Sequence, residues 1–176
     1  MKRLLLSVGL SLAFIGVISS AAAAQDGPAG ALQGSFLASP EGDLGGALGV
    51  DLWVPIESLR LGGFFGVGAV PTEEDARNRV FMPVGASVAL ELLGDDVGLS
   101  LRARGGIWGG ATQEEKLTAG GFVGGGAWFL YHLGAGVTLS VGLEVWGLFG
   151  AGETALFAPG AGLTWNPAFE SAADPE

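Results

Sequence analysis

The segment Val137-Thr-Leu-Ser-Val-Gly-Leu-Glu-Val-Trp-Gly-Leu-Phe149 alternates between apolar residues and residues that are polar, small or aromatic. Successive side chains of a β-strand point to opposite faces of a sheet, so a strand here would have one almost wholly apolar face. Its other face would carry Thr138, Ser140, Glu144 and Trp146. This pattern is typical of a strand in a transmembrane β-barrel, which separates lipid from a polar interior.

The same period of two recurs in about eight segments of the length, about 9–11 residues, that a tilted membrane-crossing strand needs. These segments cover residues 31–39, 47–54, 59–69, 82–92, 97–108, 117–131, 137–149 and 155–165. The phase of the sixth segment stays open, because glycines and large apolar residues occupy both of its faces. We therefore predict an all-β fold, an eight-stranded antiparallel up-and-down transmembrane β-barrel over residues 31–167.

The connections between these segments alternate in character. The second, fourth and sixth are brief, at 55–58, 94–96 and 132–136, whereas two of the others, 39–45 and 71–79, are longer and charged. Short turns on the periplasmic side and longer loops outside are usual in bacterial outer-membrane barrels. We expect both chain termini on the periplasmic side and His132, the single histidine, in the third periplasmic turn.

The first 24 residues have the three parts of a secretory signal peptide. Lys2 and Arg3 precede an apolar core from Leu4 to Val17, and small residues follow as far as Ala24. We predict cleavage after Ala24, an N-terminal segment over 25–30 and an acidic tail over 168–176 after the barrel. An uncleaved anchor helix is the alternative, although the apolar core is short for a membrane span.

Composition excludes several classes of function. The chain has no Cys, one His and a net charge of −10, so disulfides, thiolate or multi-histidine metal sites and nucleic-acid binding are not expected. We predict no cofactor, no metal and no nucleic-acid partner. Glycine accounts for 33 of 176 residues, against an average of about 7%. Glycines interleaved with Val, Leu, Phe and Trp suit the crowded, curved interior of a small barrel.

The predicted inward faces carry three acids and three bases that would meet in one narrow lumen. They are Asp51, Arg60, Glu91, Arg102, Arg104 and Glu144. Buried charges need partners, and an eight-stranded barrel is just wide enough to be filled by its own side chains. We predict a structural ion-pair cluster, with Trp53, Phe64, Trp108 and Trp146 filling the remaining gaps. A narrow path for ions or protons through the cluster is the functional alternative.

Two other architectures fit parts of the sequence. Residues 117–150 are nearly uncharged, and Gly121 and Gly125 have the spacing of a helix-dimer motif, which would suit a helical membrane protein. Against this, a glycine-rich break follows His132, and Glu144 would lie in the middle of a membrane helix. A soluble sandwich or a lipocalin-like barrel would instead turn the apolar face inward.

The chain resembles the small outer-membrane β-barrel proteins of Gram-negative bacteria, the OmpA/OmpX-like superfamily. The resemblance covers the signal peptide and residues 30–167. The final strand of that family ends in a glycine followed by alternating aromatics; Gly162 and Trp165 match this pattern, and Pro167 stands where the second aromatic is expected. The resemblance implies a location in the outer membrane, contact with lipid and lipopolysaccharide, and insertion by the barrel-assembly machinery. A monomer is expected.

Some small outer-membrane barrels modify lipid A with a His, a Ser and an acid. Here His132 has no Ser within a few residues, and we predict no enzymatic activity. The outer loops are acidic, which suits solvated charge better than a divalent-cation site, since they lack the regular spacing of a calcium loop. We predict a non-enzymatic protein with a structural role at the surface or in the envelope. A narrow pore for ions or small solutes, and an adhesin or ligand-binding barrel, are the alternatives.

Overall fold

The computed structural model describes residues 29–71, 78–94, 96–112, 117–134, 137–150 and 153–165. The predicted signal peptide, residues 25–28 and the acidic tail lie outside these ranges. Within these ranges, no helix is long and apolar enough to cross a membrane.

Eight strands account for almost all of the described residues. They are β1 (Ala29–Ala38), β2 (Leu44–Ile56), β3 (Leu59–Ala69), β4 (Asn78–Leu93), β5 (Val97–Thr112), β6 (Leu117–Gly134), β7 (Val137–Gly150) and β8 (Thr154–Trp165). Each strand pairs antiparallel with the next, and β1 pairs with β8, so the sheet closes into a barrel. The predicted eight-stranded antiparallel barrel is confirmed.

The barrel has two distinct ends, which we name by their connections. At the turn end lie Ala29, Trp165 and the connections after β2, β4 and β6. At the loop end lie the connections after β1, β3, β5 and β7. Several strands extend farther toward the loop end than the sequence predicts. For example, β4 begins at Asn78 and β5 continues to Thr112.

Alternation along the strands separates an apolar outer surface from a mixed interior. On β7, the outward Val141, Leu143 and Val145 are about half exposed, whereas Ser140 and Glu144 are buried. The same parity continues around the barrel, as the sequence predicts. The outer surface is therefore a continuous apolar belt, which is the surface that a transmembrane barrel presents to lipid.

The structure shows which face of β6 points into the lumen, a phase that the sequence leaves open. Phe122, Trp128 and Leu130 are buried inside the barrel, whereas Val123 and Phe129 are exposed on its outer surface. Even-numbered residues of β6 therefore face the lumen. Their neighbours on β7 explain this choice, since Trp128 pairs in register with a glycine of the inward face.

The predicted position of His132 in a turn is wrong. His132 belongs to β6, which continues to Gly134, and it pairs in register with Thr138 of β7. Its Nδ1 atom lies 3.0 Å from the Thr138 hydroxyl, and the outward Tyr131 and Leu133 on either side are exposed. The pairing of β6 with β7 therefore includes residues that were predicted to form the turn.

Candidate functional site

One arginine of β5 joins two carboxylates from opposite parts of the barrel wall. The Arg104 Nη1 atom donates to Oε2 of Glu144 on β7 at 2.5 Å, and its Nη2 atom donates to Oδ2 of Asp51 on β2 at 2.6 Å. The same Nη2 atom lies 2.9 Å from the Gln33 side-chain oxygen. These groups are almost completely buried. We call Asp51, Arg104 and Glu144 the ion-pair hub.

The carboxylate of Glu144 receives two indole N–H groups in addition to Arg104. Trp128 donates to Oε1 and Trp146 donates to Oε2, each at 2.7 Å. Both oxygens of this buried acid are therefore hydrogen-bonded, which offsets the cost of removing the charge from water. Because both carboxylate oxygens of Glu144 already accept hydrogen bonds from protein groups, neither of them is available to a ligand.

Arg102 is held mainly by aromatic rings and neutral acceptors. Its guanidinium carbon lies 4.7 Å from the ring centroid of Trp128 and 5.3 Å from that of Trp53, distances at which cation–π attraction operates. Its nitrogens also lie within hydrogen-bond distance of the side-chain oxygens of Gln33, Ser100 and Thr164. Within the described ranges, no carboxylate lies within 4.0 Å of Arg102.

A second ion pair lies nearer the turn end. Arg60 of β3 and Glu91 of β4 meet through Nη2 and Oε2 at 2.5 Å. Across the residues that the structure describes, the other Arg60 Nη atom, Oε1 of Glu91 and the Ser140 hydroxyl are buried without a hydrogen-bond partner. Buried polar atoms are nearly always paired with protein or ordered water, so this half of the lumen has the chemistry of a hydrated interior.

The structure thus divides the six predicted charged residues into three arrangements. Asp51, Arg104 and Glu144 form the hub, Arg60 and Glu91 form a separate pair, and Arg102 lies between two tryptophans. All six are buried in the lumen, and among the described residues they are the only buried charged side chains: Asp51, Arg60, Glu91, Arg102, Arg104 and Glu144. With three acids and three bases, the lumen has no net formal charge.

The loop half of the lumen contains a different set of side chains. A single apolar cluster occupies it: Leu37, Ala47, Phe64, Val70, Phe81, Trp108, Phe122, Trp146, Leu148, Leu156 and Ala158. We call this cluster the aromatic plug. Its rings contact one another, with Phe64 and Trp146 centroids 5.9 Å apart and Phe81 and Trp146 centroids 6.4 Å apart, both edge to face.

Sequence reasoning identifies part of this interior and misses the rest. The four predicted gap-filling aromatics are all buried in the lumen, with Phe64, Trp108 and Trp146 in the aromatic plug and Trp53 in a separate cluster with Ala29 and Ala31. Phe81, Phe122 and Trp128 are missed. Phe122 and Trp128 lie on β6, where glycines and large apolar residues occupy both faces, so that segment alone gives no signal for them.

Glycines provide the space that these rings occupy. A Cβ atom added to Gly142 would collide with the Ala127 carbonyl oxygen and would lie 2.6 Å from the Trp128 ring. One added to Gly160 would lie 2.6 Å from the Gly34 carbonyl oxygen and 3.2 Å from the same ring. A Cβ atom at Gly49 would likewise lie 2.7 Å from the ring of Phe64. Some glycines therefore lie where the barrel wall approaches a large lumen side chain, and others lie where it closely approaches the backbone of a neighbouring strand.

Across the described residues, no group of three or more His, Cys, Asp or Glu side chains could hold a metal ion. His132 contacts the Thr138 hydroxyl, and Ser140 is completely buried. Five of the six buried charged groups pair with one another and Arg102 lies between two tryptophans, so the chemistry that this geometry supports is neutralisation of charge inside a filled barrel.

Comparison with known proteins identifies the fold. No protein-family model matches the chain, and no curated protein matches it in sequence. Neisserial surface protein A (NspA) has a similar structure, with a TM-score of 0.59 at 14% identity over 78% of this chain and 95% of that one. This similarity shows the fold.

Two further structures agree. The outer-membrane enzyme PagL gives a TM-score of 0.51 at 16% identity, over 77% of this chain and 98% of that one. The N-terminal β-barrel domain of Pseudomonas aeruginosa OprF gives 0.50 at 12% identity, over 81% of this chain and 99% of that one. The predicted likeness to small outer-membrane barrels is thereby confirmed at the level of the fold.

Proposed function

We propose that this chain is an outer-membrane protein whose closed, non-conducting barrel has a structural role in the envelope. The observation that carries the proposal is the aromatic plug, in which buried rings of Phe64, Phe81 and Trp146 contact one another across the loop half of the lumen. An apolar constriction excludes water, and ions do not pass a region that water does not wet.

The polar part of the lumen supports the same conclusion. Arg104 binds one carboxylate from β2 and one from β7, so it ties distant strands together across the interior. Moving an ion past this hub would require separating charges that are almost wholly buried, which costs several kcal/mol. The arrangement suits a stabilising cross-brace for the barrel wall.

The outer surface supports the proposed location. Its exposed large side chains are almost all apolar, and the aromatic residues Tyr131 and Trp165 lie near the turn end, where an interfacial girdle is expected. We infer that the barrel contacts outer-membrane lipid and lipopolysaccharide, is inserted by the barrel-assembly machinery as a monomer and does not bind nucleic acid. The turn end, where β1 begins and β8 ends, would face the periplasm.

A non-enzymatic role also fits the interior. PagL shows that an enzyme can share this fold, so the fold alone does not decide the question. In this chain Ser140 has no exposed surface and His132 contacts Thr138, so neither is placed to attack a lipid substrate. We therefore favour a structural role over catalysis.

A narrow pore is the second candidate, and the polar turn half of the lumen favours it. The unpartnered atoms of Arg60, Glu91 and Ser140 would suit a hydrated passage that begins at that end. Such a passage would have to cross the aromatic plug to conduct, which is why we place this function second.

Planar-bilayer recording distinguishes the two candidates. The full chain is expressed, its outer-membrane fraction is extracted, and a heat-dependent gel shift verifies that the barrel is folded. We expect no stable channels from the folded protein at either polarity. Reproducible unitary conductance from that material would overturn the closed-barrel proposal, and recovery of the protein in the soluble periplasmic fraction would overturn the membrane location.

A further inference from the structure

The outer surface of β8, β1, β2 and β3 has a groove, which lies near the loop end on β1, β2 and β3 and reaches Pro159 and Gly160 on β8. Its volume is about 620 Å³, and Gly34 and Gly46 lie among the residues that line it. The large side chains of Phe36, Leu48 and Val67 stand around these glycines and are between 40% and 61% exposed. The groove therefore consists of small residues surrounded by protruding apolar ones.

The strand register explains this shape. Gly46 of β2 is opposite Phe36 on β1 and Ala69 on β3, whereas Gly34 of β1 is opposite Leu48. All of these residues point outward from their strands, so large side chains alternate with glycines on the same face. A depression flanked by apolar side chains follows directly from that alternation.

The position of the groove limits what can occupy it. On β2 it spans residues 45–48, a distance of about 10 Å at about 3.4 Å per residue. The hydrocarbon core of a bilayer is about 30 Å thick, so one leaflet contributes about 15 Å. Since the groove lies near the loop end on three strands and extends no farther than the middle of β8, it lies in the leaflet on that side. A partner helix that crosses the membrane would need a much longer contact.

The chemistry of the groove is continuous with the apolar belt around it. None of its lining residues is charged, and Ser35 is the single hydroxyl-bearing residue among them. A lipid headgroup would therefore find no charged partner inside it. A flexible hydrocarbon chain can fit between Phe36 and Leu48 and cover the backbone at Gly34 and Gly46.

We propose that the groove binds one acyl chain of a membrane lipid from the leaflet at the loop end. The occupant is a hydrocarbon chain, recognised through apolar contact along the groove. This inference rests on the proposed membrane location. It is independent of whether the lumen conducts.

Filling the groove tests the proposal. At Gly46 an added Cβ atom would lie 3.7 Å from its nearest neighbour, the Ser35 carbonyl oxygen, so Gly46→Leu adds bulk without a backbone collision. Gly121→Leu is the matched control, because an added Cβ atom there also lies 3.7 Å from its nearest neighbour, the Gly106 carbonyl oxygen. Gly121 belongs to the outward face of β6, on the other side of the barrel and near the same end.

The measurement counts retained lipid. Each full-length protein is folded into dimyristoyl phosphatidylcholine vesicles, checked by the heat-dependent gel shift, extracted into mild detergent and examined by native mass spectrometry. We expect the wild-type chain and Gly121→Leu to retain one lipid, and Gly46→Leu to retain several-fold less, because the leucine occupies the apolar contact surface. Should Gly46→Leu not fold, Gly34→Leu fills the groove from β1 instead, where an added Cβ atom lies 3.6 Å from Leu48.

Two results would overturn the inference. The first is equal lipid retention, or no retention, in all three folded proteins. The second is a wild-type dimer that Gly46→Leu dissociates, because a second copy of the chain would then be the occupant. Failure of the proposed function is seen separately, as channel activity or as loss of the protein from the membrane fraction.

Discussion

The Nη1 atom of Arg104 lies 2.5 Å from Oε2 of Glu144, and both side chains are about 1% exposed. Arg104 also binds Asp51, whose side chain has no exposed surface. One cation therefore binds two acids that have no access to water, and Arg102, which lies in the same polar layer between two aromatic rings, supplies the second positive charge. Stability of the barrel should depend on Arg104 more than on any other single charge in the lumen.

Replacement of Arg104 by methionine should strongly destabilise the barrel. The change leaves the Asp51 and Glu144 carboxylates buried without their cation, and breaking a buried ion pair typically costs about 3–5 kcal/mol. Urea titration of the protein folded in lipid vesicles, followed by tryptophan fluorescence, gives the free energy of unfolding. We expect a loss at least in this range.

The matched control restores the charge balance of the layer. Glu144→Gln combined with Arg104→Met leaves one buried acid, Asp51, and one buried base, Arg102, so the layer again has no net formal charge. This double variant should recover part of the free energy of unfolding that Arg104→Met loses. A double variant as unstable as the single one, or less stable, would show that unbalanced charge burial is not the cause.

The glycines that face lumen rings should not tolerate a methyl group. A Cβ atom at Gly49 would lie 2.7 Å from the Phe64 ring, whereas one at Gly34, on the outer surface, would lie 3.6 Å from Leu48. Gly49→Ala should therefore lower the free energy of unfolding by about 1–3 kcal/mol, the usual cost of overpacking. Gly34→Ala should change it little in the same urea titration, and equal effects would contradict the packing of the Phe64 ring against the bare backbone of Gly49.

The alternation of β7 could be predicted because lipid and lumen impose opposite requirements on adjacent residues. That constraint is weaker on β6, where glycines fill both faces and either phase leaves an acceptable outer surface. The structure chooses the phase through β7, because Trp128 pairs with Gly142 and Gly126 pairs with Glu144. A cross-strand register of this kind is not encoded within the β6 segment itself.

The partners of the buried charges were also beyond sequence reasoning. Parity places Asp51, Arg104 and Glu144 in the lumen, but it does not say which of them meet. Arg104 is on β5 and its two partners are on β2 and β7, neither of which is adjacent to β5 in the barrel. These pairings depend on how the strands are staggered around the closed sheet and on the lengths of side chains that cross it.

The seam between β1 and β8 depends on another glycine. Gly30 is opposite Trp165 in register, and an added Cβ atom would lie 2.7 Å from Cε2 of the indole ring. Gly30→Val should therefore hinder closure of the barrel and reduce the fraction that resists detergent at room temperature on a gel. Gly34→Val, on the same face of β1, should leave that fraction nearly unchanged.

A second substitution identifies the cause of the closure defect. If the Trp165 ring is the obstacle at the seam, Trp165→Ala combined with Gly30→Val should restore some of the detergent-resistant barrel. A double variant that closes no better than Gly30→Val would assign the defect to the altered β1 backbone and not to the packed ring.

An arginine on the outer face of β7 should have an effect that depends on its depth. Val141 is 53% exposed near the middle of the strand, whereas Val137 on the same face begins the strand at the turn end. Val141→Arg should lower the free energy of unfolding in vesicles by about 2–4 kcal/mol, and Val137→Arg by about 0–1 kcal/mol, because the penalty for a charge falls from the bilayer midplane to its interface. The ratio of the two losses, measured by urea titration, separates lipid burial from a general intolerance of arginine on this strand. Similar losses at both positions would contradict the membrane depth that we assign to β7, since an apolar surface facing a soluble partner has no such gradient.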